Sequence, residues 1–458
     1  MTFPDPTPLE WREAAVKALK ERPLESLIHL DADHLATKPL YGAANGGEPV
    51  FAPRPSDSEG RAWDVRALSE GEDADALNRA ILTDLENGAA SILIAGPVAA
   101  DAAKLARALD GVALELAPVA LDAGFEGVRA AEALSAVAKG SPRAKLAFHL
   151  DPISAYAEAG GAPGDFGAIM GETAEAAATH AATYPEATLF MASGRVAHEA
   201  GGSIAQELAF AASSAVAYVK AAVAAGLSAQ AALKGVVLGV AVDQAYFDSL
   251  AKIRALRLVW ASLSKAFGVE VQAKIEARSS RRMLSARDPW PNMLRLTAAG
   301  FAGAVGGADA VVLDGFTRAA GLPDDFARRQ ARNTQLILME ESNLGRVDDP
   351  ASGSWYLDAR TRELAEAAWA EFQVYEAEGG VIACLEGGVI QLRIARARDM
   401  AEKAYRDGAA QIVGVTKFVD PDVRPAPVTP APAAPAVIGA FEALAPVRFA
   451  AAFEEAAQ

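Results

Sequence analysis

The residues best placed to do chemistry lie in the stretch TLFMASGRVAHEAG, residues 188–201. Residues 189–192 are apolar enough for a buried strand, which runs into a Ser-Gly-Arg turn before a long alanine-rich helix. In a closed barrel of parallel strands, chemistry takes place where strands end and loops begin. A glycine at such a turn lets the backbone approach a ligand, and Arg195, His198 and Glu199 could reach the barrel mouth. The alternative is an ordinary strand-to-helix turn with solvated charges.

An alternation of strands and helices has to position this turn. Strands separated by helices of this length indicate βαβ units and a parallel sheet, and about eight repeats favour a (β/α)8 TIM barrel over an open doubly wound sheet. The first of these strands is followed by Gly-Pro-Val and not by a dinucleotide fingerprint, which also weakens the Rossmann alternative. The predicted strands are residues 91–96, 112–116, 146–150, 189–192, 236–242, 269–277 and 310–313, with 353–357, or the chain before Asp349, as the eighth.

Four segments follow from this pattern. Residues 1–61 form an arm with one amphipathic helix at 8–20, which we expect to lie across a partner subunit through Trp11, Leu19, Leu40 and Tyr41. The barrel is residues 62–358. A helical extension, residues 359–420, contains helices at 361–377 and 392–406 and a strand at 411–418. Residues 421–458 are a Pro/Ala-rich linker and tail.

The net charge and the cysteine content argue against some classes of function and indicate a cellular compartment. The 458-residue chain has a formal net charge of -16, which opposes binding to nucleic acid or to an anionic membrane surface. Cys384 is the single cysteine, and no basic or apolar leader begins the sequence, so we expect a cytoplasmic protein. The apolar run at residues 209–226 contains Lys220 and indicates a packed helix instead of a membrane span.

Polar side chains follow most of the predicted strands, where a barrel enzyme would place its site. Several could equally be helix N-caps. They are Asp151, Ser193, Arg195, Asp243, Gln244, residues 278–282, Asp314, Asp348 and Asp349. The histidines at 29, 34, 149 and 180 form no pair with metal-ligand spacing, so no metal site is predicted.

Several motifs together resemble the methylmalonyl-CoA mutase family. They are HEAGGSIAQELAFAASSAVAYV (198–219), FDSLAKIRALRLVWA (247–261), RDPWPNMLR (287–295), GLPDDFARRQARNTQLILMEES (321–342), DPASGSWYL (349–357) and VGVTKF (413–418). The resemblance implies a barrel that takes an acyl-CoA along its axis. It also implies a C-terminal flavodoxin-like domain that holds adenosylcobalamin above the barrel.

The chain departs from the family where that chemistry would occur. The D-x-H-x-x-G motif, whose histidine ligates cobalt, is absent from the sequence. Arg195, Val196 and His198 stand where catalytic members have tyrosine, histidine and glutamine. In the stretch that matches W-T-I-R-Q-Y, Arg66 is kept but Leu68 replaces the tyrosine. A valine can neither donate a hydrogen bond to a thioester carbonyl nor exchange a proton, so these losses predict a chain without catalytic residues.

The pattern resembles the small, non-catalytic subunit of heterodimeric family members. We therefore expect a catalytic large subunit as partner, adenosylcobalamin bound by that partner and not by this chain, and an acyl-CoA as a further ligand. The candidates for facing that ligand are Arg66, Arg195, His198, Arg278, Ser280 and Arg281. The basic stretch at 278–282 could hold a CoA phosphate, or it could be a solvated turn. Two alternatives are a divergent mutase that works with a separate cobalamin-domain protein and a CoA-thioester binding module without turnover.

Overall fold

A closed barrel of eight parallel strands forms the centre of the molecule. A computed structural model describes residues 7–54, 61–141, 143–431 and 436–455. Each strand pairs with the next along the chain, and the last closes on the first, which confirms the predicted (β/α)8 fold. The strands are β1 Asp64–Glu70, β2 Ser91–Ala95, β3 Val119–Asp122, β4 Leu146–Leu150, β5 Thr188–Ser193, β6 Val236–Val242, β7 Ile275–Ser279 and β8 Ala310–Val312.

Helices surround the barrel because the strands are apolar on both faces and need a cover on the outside. The helices before β6 are α1 Pro8–Leu19, α2 Ala43–Gly46, α3 Ala74–Glu86, α4 Pro97–Ala100, α5 Ala102–Ala108, α6 Gly127–Val137, α7 Pro152–Ala159, α8 Phe166–Thr183, α9 Arg195–Glu199, α10 Ile204–Ala224 and α11 Ala229–Lys234. The later ones are α12 Tyr246–Ala266, α13 Asn292–Val305, α14 Asp325–Leu336, α15 Trp355–Ala377, α16 Val381–Glu386, α17 Val389–Arg406 and α18 Ala451–Glu455. The main core lies between these helices and the outer face of the barrel.

Two predicted strands are wrong. Residues 112–116 form turns in front of Pro118, and Leu116 is 78% exposed, whereas the true strand β3 begins directly after that proline. At 353–357 the side chain of Ser354 accepts a hydrogen bond from the N–H of Leu357 and so starts helix α15. Neither this segment nor the chain before Asp349 supplies a strand. The eighth strand is β1, at the start of the barrel.

Other predicted bounds shift in smaller ways. The strand expected at 269–277 occupies only Ile275–Ser279, and residues 411–418 form a tight turn with one isolated bridge in place of a strand. That turn closes because the carbonyl of Ile412 accepts hydrogen bonds from the N–H groups of Val415, Thr416 and Lys417. The helices expected at 361–377 and 392–406 begin earlier, at Trp355 and Val389, so α15 runs across the predicted boundary at residue 358.

The N-terminal arm is partly held by its own barrel. The helix expected at 8–20 is present as α1, whose capping box joins Thr7 and Glu10, and none of its residues is buried. Further along, Asp33 accepts a hydrogen bond from the N–H of Ala205, and Tyr41 contacts Tyr356 with ring centroids 5.0 Å apart. Tyr41 is therefore partly covered by its own chain, and its contact with a partner stays a prediction.

The C-terminal tail also packs on the barrel. The N–H of Leu444 donates to the carbonyl of Ala157, and the N–H of Val447 donates to that of Glu199. Gly160, at φ +63°, makes room for this tail, because a Cβ there would lie 2.5 Å from the carbonyl oxygen of Phe441. The tail therefore rests on one side of the barrel mouth.

Helix α10 is long and apolar enough to cross a membrane by length and composition alone. Inside the protein, however, 72% of its most apolar window is buried. The helix packs on β5 and β6 and against α15, so it belongs to the core, as the sequence predicted.

Candidate functional site

A layer of charged side chains crosses the axis of the barrel. Arg66 on β1 donates to Glu276 on β7 at 2.6 Å and to Asp64 at 2.8 Å, and its Nε atom donates to Ser91 on β2 at 2.8 Å. Burial alone would lower the pKa of Arg66, but the two carboxylates outweigh burial and raise it. Arg66 is therefore a fixed cation inside the barrel, held by three neighbours.

His149 at the end of β4 completes this layer. Its backbone has φ +48°, a strained conformation for a residue with a side chain, and it is 5% exposed. Burial lowers the pKa of His149 to about 4, so the imidazole is neutral at pH 7. Within the described part of the chain, its Nε2 atom has no hydrogen-bond partner.

Two separate cavities lie on either side of this layer. The one at the amino-terminal end of the strands has a volume of about 280 Å³, and the one at the mouth has about 110 Å³. His149 and Glu276 line both cavities and therefore stand between them. The barrel axis is divided by side chains in this conformation.

The mouth cavity contains the Ser-Gly-Arg turn that the sequence singled out. Arg195 and Val196 line it, together with Arg278, which donates to Asp122 at 2.6 Å. Burial, with repulsion from Arg278, lowers the pKa of Arg195 to about 10. Among the described residues, the Nε atoms of Arg195 and Arg278 find no hydrogen-bond acceptor. The cavity thus offers donors to a small ligand, but Val196 supplies no proton-transfer group to it.

Asp151 follows β4 and serves two purposes at the rim of this cavity. It caps α7 through Ser154, as the N-cap interpretation predicted, and it accepts a hydrogen bond from Tyr218 at 2.6 Å. Burial raises the pKa of Asp151 to about 7, although both hydrogen-bond donors act to lower it. The protonation state of this carboxyl group therefore changes near neutral pH.

His198 and Ser280 belong to a buried network and do not line the mouth cavity. The Nε2 atom of His198 lies 2.8 Å from the Ser280 hydroxyl, and its Nδ1 atom lies 3.3 Å from Glu207. Lys252 donates to the same carboxylate at 2.6 Å. Burial raises the pKa of Glu207, but Lys252 and His198 outweigh it and bring the pKa to about 2. The network fastens α9, α10 and α12 to β7.

The basic stretch at 278–282 is not a solvated turn. Arg278 and Ser280 are buried, and Arg282 donates to the carbonyls of His198 and Gly202. Arg281 is partly exposed, and its Nε atom lies 3.5 Å from Asp314. Each of the three arginines has at least one partner within the protein, and contact of Arg278 or Arg281 with a CoA phosphate stays a prediction.

Two further residues that the sequence analysis singled out also pack or pair inside the protein. Leu68 points into the barrel, where it packs against Leu93, Ala120, Ala147 and Val312. Asp349, expected at a strand end, is an ion-pair partner of buried Arg254. Sequence reasoning missed Glu276, Asp122, Glu207 and Lys252. The signal for the last two was a charge within an otherwise apolar helix.

The described residues contain no group of three or more metal-ligating side chains in a suitable arrangement. The histidines do not fit a cobalt ligand above the mouth either. His149, His180 and His198 are buried, and His29 and His34 lie on the arm. No reaction step can be derived through cobalamin from the residues of this chain.

Barrel, mouth and axial layer together define a (β/α)8 barrel protein whose axis is divided by charged side chains. The family model for methylmalonyl-CoA mutase matches residues 94–443. The small subunit of methylmalonyl-CoA mutase from Streptomyces virginiae is 39% identical over 94% of this chain and 74% of its own length. The small subunit from Propionibacterium freudenreichii subsp. shermanii is 34% identical over 95% and 72%, and the methylmalonyl-CoA mutase of Escherichia coli is 28% identical over 89% and 64%. The chain belongs to the methylmalonyl-CoA mutase family.

Proposed function

We propose that this chain is the small, non-catalytic subunit of an adenosylcobalamin-dependent methylmalonyl-CoA mutase. In this proposal a catalytic large subunit binds the cofactor and interconverts methylmalonyl-CoA and succinyl-CoA, and this chain supports it. The names of the Streptomyces virginiae and Propionibacterium freudenreichii relatives, at 39% and 34% identity, favour this assignment. The acidic charge and a single buried cysteine are compatible with the cytoplasm as its compartment.

The charged layer across the barrel axis is the observation that carries the proposal. An acyl-CoA lying along the axis would have to displace Arg66 from Glu276 and pass His149. Separating a buried ion pair and leaving one charge unpaired costs about 3–5 kcal/mol, which the ligand would have to overcome before it gained any contact. The interior of this barrel is therefore stable as a filled structure.

The mouth supports the same conclusion. Val196 is 3% exposed and sits where the family's histidine would polarise the substrate and exchange a proton. Leu68 occupies the position of the family's tyrosine and has packed into the apolar layer of the barrel interior. Both changes remove polar chemistry while keeping the volume of a packed core.

The exposed arm gives the partner a surface to bind. Leu9 and Val16 on α1 are 65% and 47% exposed, and Leu40 is 46% exposed. Residues 31–54, in contrast, supply contacts that the barrel itself needs, such as the Val50 carbonyl that accepts from Arg254. A deletion that tests the partner role should therefore stop before residue 23.

Co-expression with a catalytic large subunit, followed by light scattering, tests the partner. We expect a 1:1 complex, and we expect deletion of residues 1–22 to weaken it at least tenfold without changing the melting temperature of the isolated chain. Elution of the two chains as separate monomers would contradict the proposal.

Turnover tests the non-catalytic role. The isolated chain with adenosylcobalamin should not convert methylmalonyl-CoA, and the complex should. Because Val196 has no chemical part to play, Val196→Ala in this chain should leave kcat of the complex within twofold. A hundredfold loss in that variant, with the complex still intact, would place catalysis in this barrel and refute the assignment.

A further inference from the structure

In this closed barrel, the pairing along the seam between β1 and β8 is short. Strand β1 pairs with β2 from Arg66 to Glu70, but its pairing with β8 covers only Asp64 and Val65. Along a strand, the backbone N–H and C=O groups of successive residues point alternately to the two neighbouring strands. In β1, the N–H of Asp64 donates toward β8, and the carbonyl of Val65 accepts a hydrogen bond from the β2 side. By this alternation, the N–H groups of Leu68 and Glu70 point into the seam. The pairing with β8 ends at Val65, and no loop acceptor among the described residues bonds to these two N–H groups.

A cavity of about 510 Å³ lies beside this free strand edge. Leu77 and Ala80 of α3 form one wall, Ala331 of α14 forms another, and residues 429–431 contribute a third. The cavity is larger than either axial cavity and lies along the seam and the outer face of β1, with Arg66 of the axial layer in its lining. Its volume is within the range of small-molecule sites.

Buried polar atoms line this cavity without partners. Ser69, Asp314 and Arg332 are 3%, 2% and 6% exposed. Within the described residues, the Ser69 hydroxyl, the Oδ1 atom of Asp314 and the Nε atom of Arg332 make no hydrogen bond. A buried polar group without a partner costs about 1–3 kcal/mol. Three such groups line this one cavity, and a bound molecule that forms hydrogen bonds with them would remove this cost.

The charge of the lining selects a neutral molecule. Arg332 pairs with Asp84, Arg318 with Glu70 and Arg66 with Glu276, so these guanidinium groups are already neutralised. The lining of the cavity contains four cationic and five acidic side chains, which are Arg66, Arg318, Arg328 and Arg332, and Glu70, Glu72, Asp73, Asp84 and Asp314. A phosphate-bearing ligand would find no free cation there.

We propose that the seam cavity binds a neutral, linear small molecule that carries amide groups. Its amides bond to the free edge of β1 at Leu68 and Glu70 as an added strand would, and its polar ends meet Ser69, Asp314 and Arg332. This site is separate from the mouth and does not depend on the proposed function.

Dialanine capped with an acetyl and an amide group is a suitable probe. Amide hydrogen exchange and backbone NMR shifts are recorded for the full chain as the probe is titrated to tens of millimolar. We expect saturable shifts at Leu68 and Glu70 and at least tenfold slower exchange of these two amides. An absence of saturable shifts in the wild-type chain would overturn the proposal.

Two leucine variants on α14 separate this cavity from other binding places. Ala331→Leu fills the cavity and should abolish the shifts, whereas Asn333→Leu adds the same side chain on the exposed face and should preserve them. Equal melting temperatures for the two variants confirm that both fold. Probe binding that persists in Ala331→Leu overturns the site, and equal binding of an N-methylated capped dialanine overturns the strand-edge contact.

Discussion

The mouth of the barrel and the interior of its helical layer use the same kinds of charged residue in opposite ways. Beneath α12, Arg254 is fully buried, and its guanidinium group donates to Asp349, Asp358, Thr361 and the Val50 carbonyl. At the mouth, Arg195 lies 3.9 Å from Glu199, and its Nε atom has no acceptor among the described residues. Arg254 is therefore held on all sides by acceptors of the fold, whereas Arg195 keeps a donor without an acceptor at the mouth.

On the proposed function, the comparison explains how a barrel can keep its fold without catalysing the reaction. A substitution that breaks a completed network unfolds the protein and is removed by selection. A substitution at the mouth, such as valine at position 196, costs activity and little stability. The structural network is therefore expected to persist while the mouth changes.

The largest expected effect is the loss of Arg254. Arg254→Met leaves two buried carboxylates without their cation and should lower the free energy of unfolding by about 3–5 kcal/mol. Arg195→Met at the mouth is the matched control, and it should change stability by less than about 1 kcal/mol. Urea unfolding of both variants measures the contrast. Equal losses would erase the distinction between the two regions.

An intermediate effect is expected at Glu207, and it depends on pH. Because the folded protein holds the pKa of Glu207 at about 2, below its ordinary value of 4.5, the ionised group stabilises the fold above pH 4.5. That stabilisation is lost as the pH falls toward 2. Glu207→Gln should therefore be about 3 kcal/mol less stable than wild type at pH 7 and should approach wild type near pH 2.

Unfolding curves at several pH values, compared with Lys252→Met, sharpen this prediction. Lys252 donates to the same carboxylate, so its loss should raise the pKa of Glu207 and move the acid transition to higher pH. A gap between wild type and Glu207→Gln that stays constant from pH 7 to pH 2 would mean that Glu207 is not the group that titrates.

An effect of the opposite sign is expected at Asp151 in the mouth. Burial raises its pKa to about 7 in the folded protein, so the fold favours the protonated form, and stability falls as the pH rises from about 4 to about 7. Asp151→Asn keeps an acceptor for Tyr218 but cannot ionise. The variant should be more stable than wild type by up to about 4 kcal/mol at pH 8 and equal to it near pH 4, as measured by thermal unfolding. A variant that is less stable than wild type at both pH values would contradict the assignment.

Local pattern was enough to predict the architecture and part of the site. Runs such as residues 189–192 and 236–242 appear as strands because buried parallel strands are apolar along their whole length. The eighth strand was misplaced because β1, with the sequence DVRALSE, carries three charges and lacks such a run. The charged side chains of β1 have partners in distant parts of the chain. A short stretch of sequence around β1 does not contain those partners.

By itself the sequence determined the barrel, the family and the identity of the residues at the former reaction positions, because periodicity and motif letters are properties of neighbouring residues. Only the tertiary structure decided which charges meet. Arg66 and its partner Glu276 are 210 residues apart, and His198 turns to Glu207 and Ser280 and not to the mouth. The free edge of β1 could likewise not be predicted from the sequence, because it exists only beyond the point where the pairing with β8 ends. The partner of a buried charge and the pairing of a strand edge are set by long-range packing, which one stretch of sequence cannot specify.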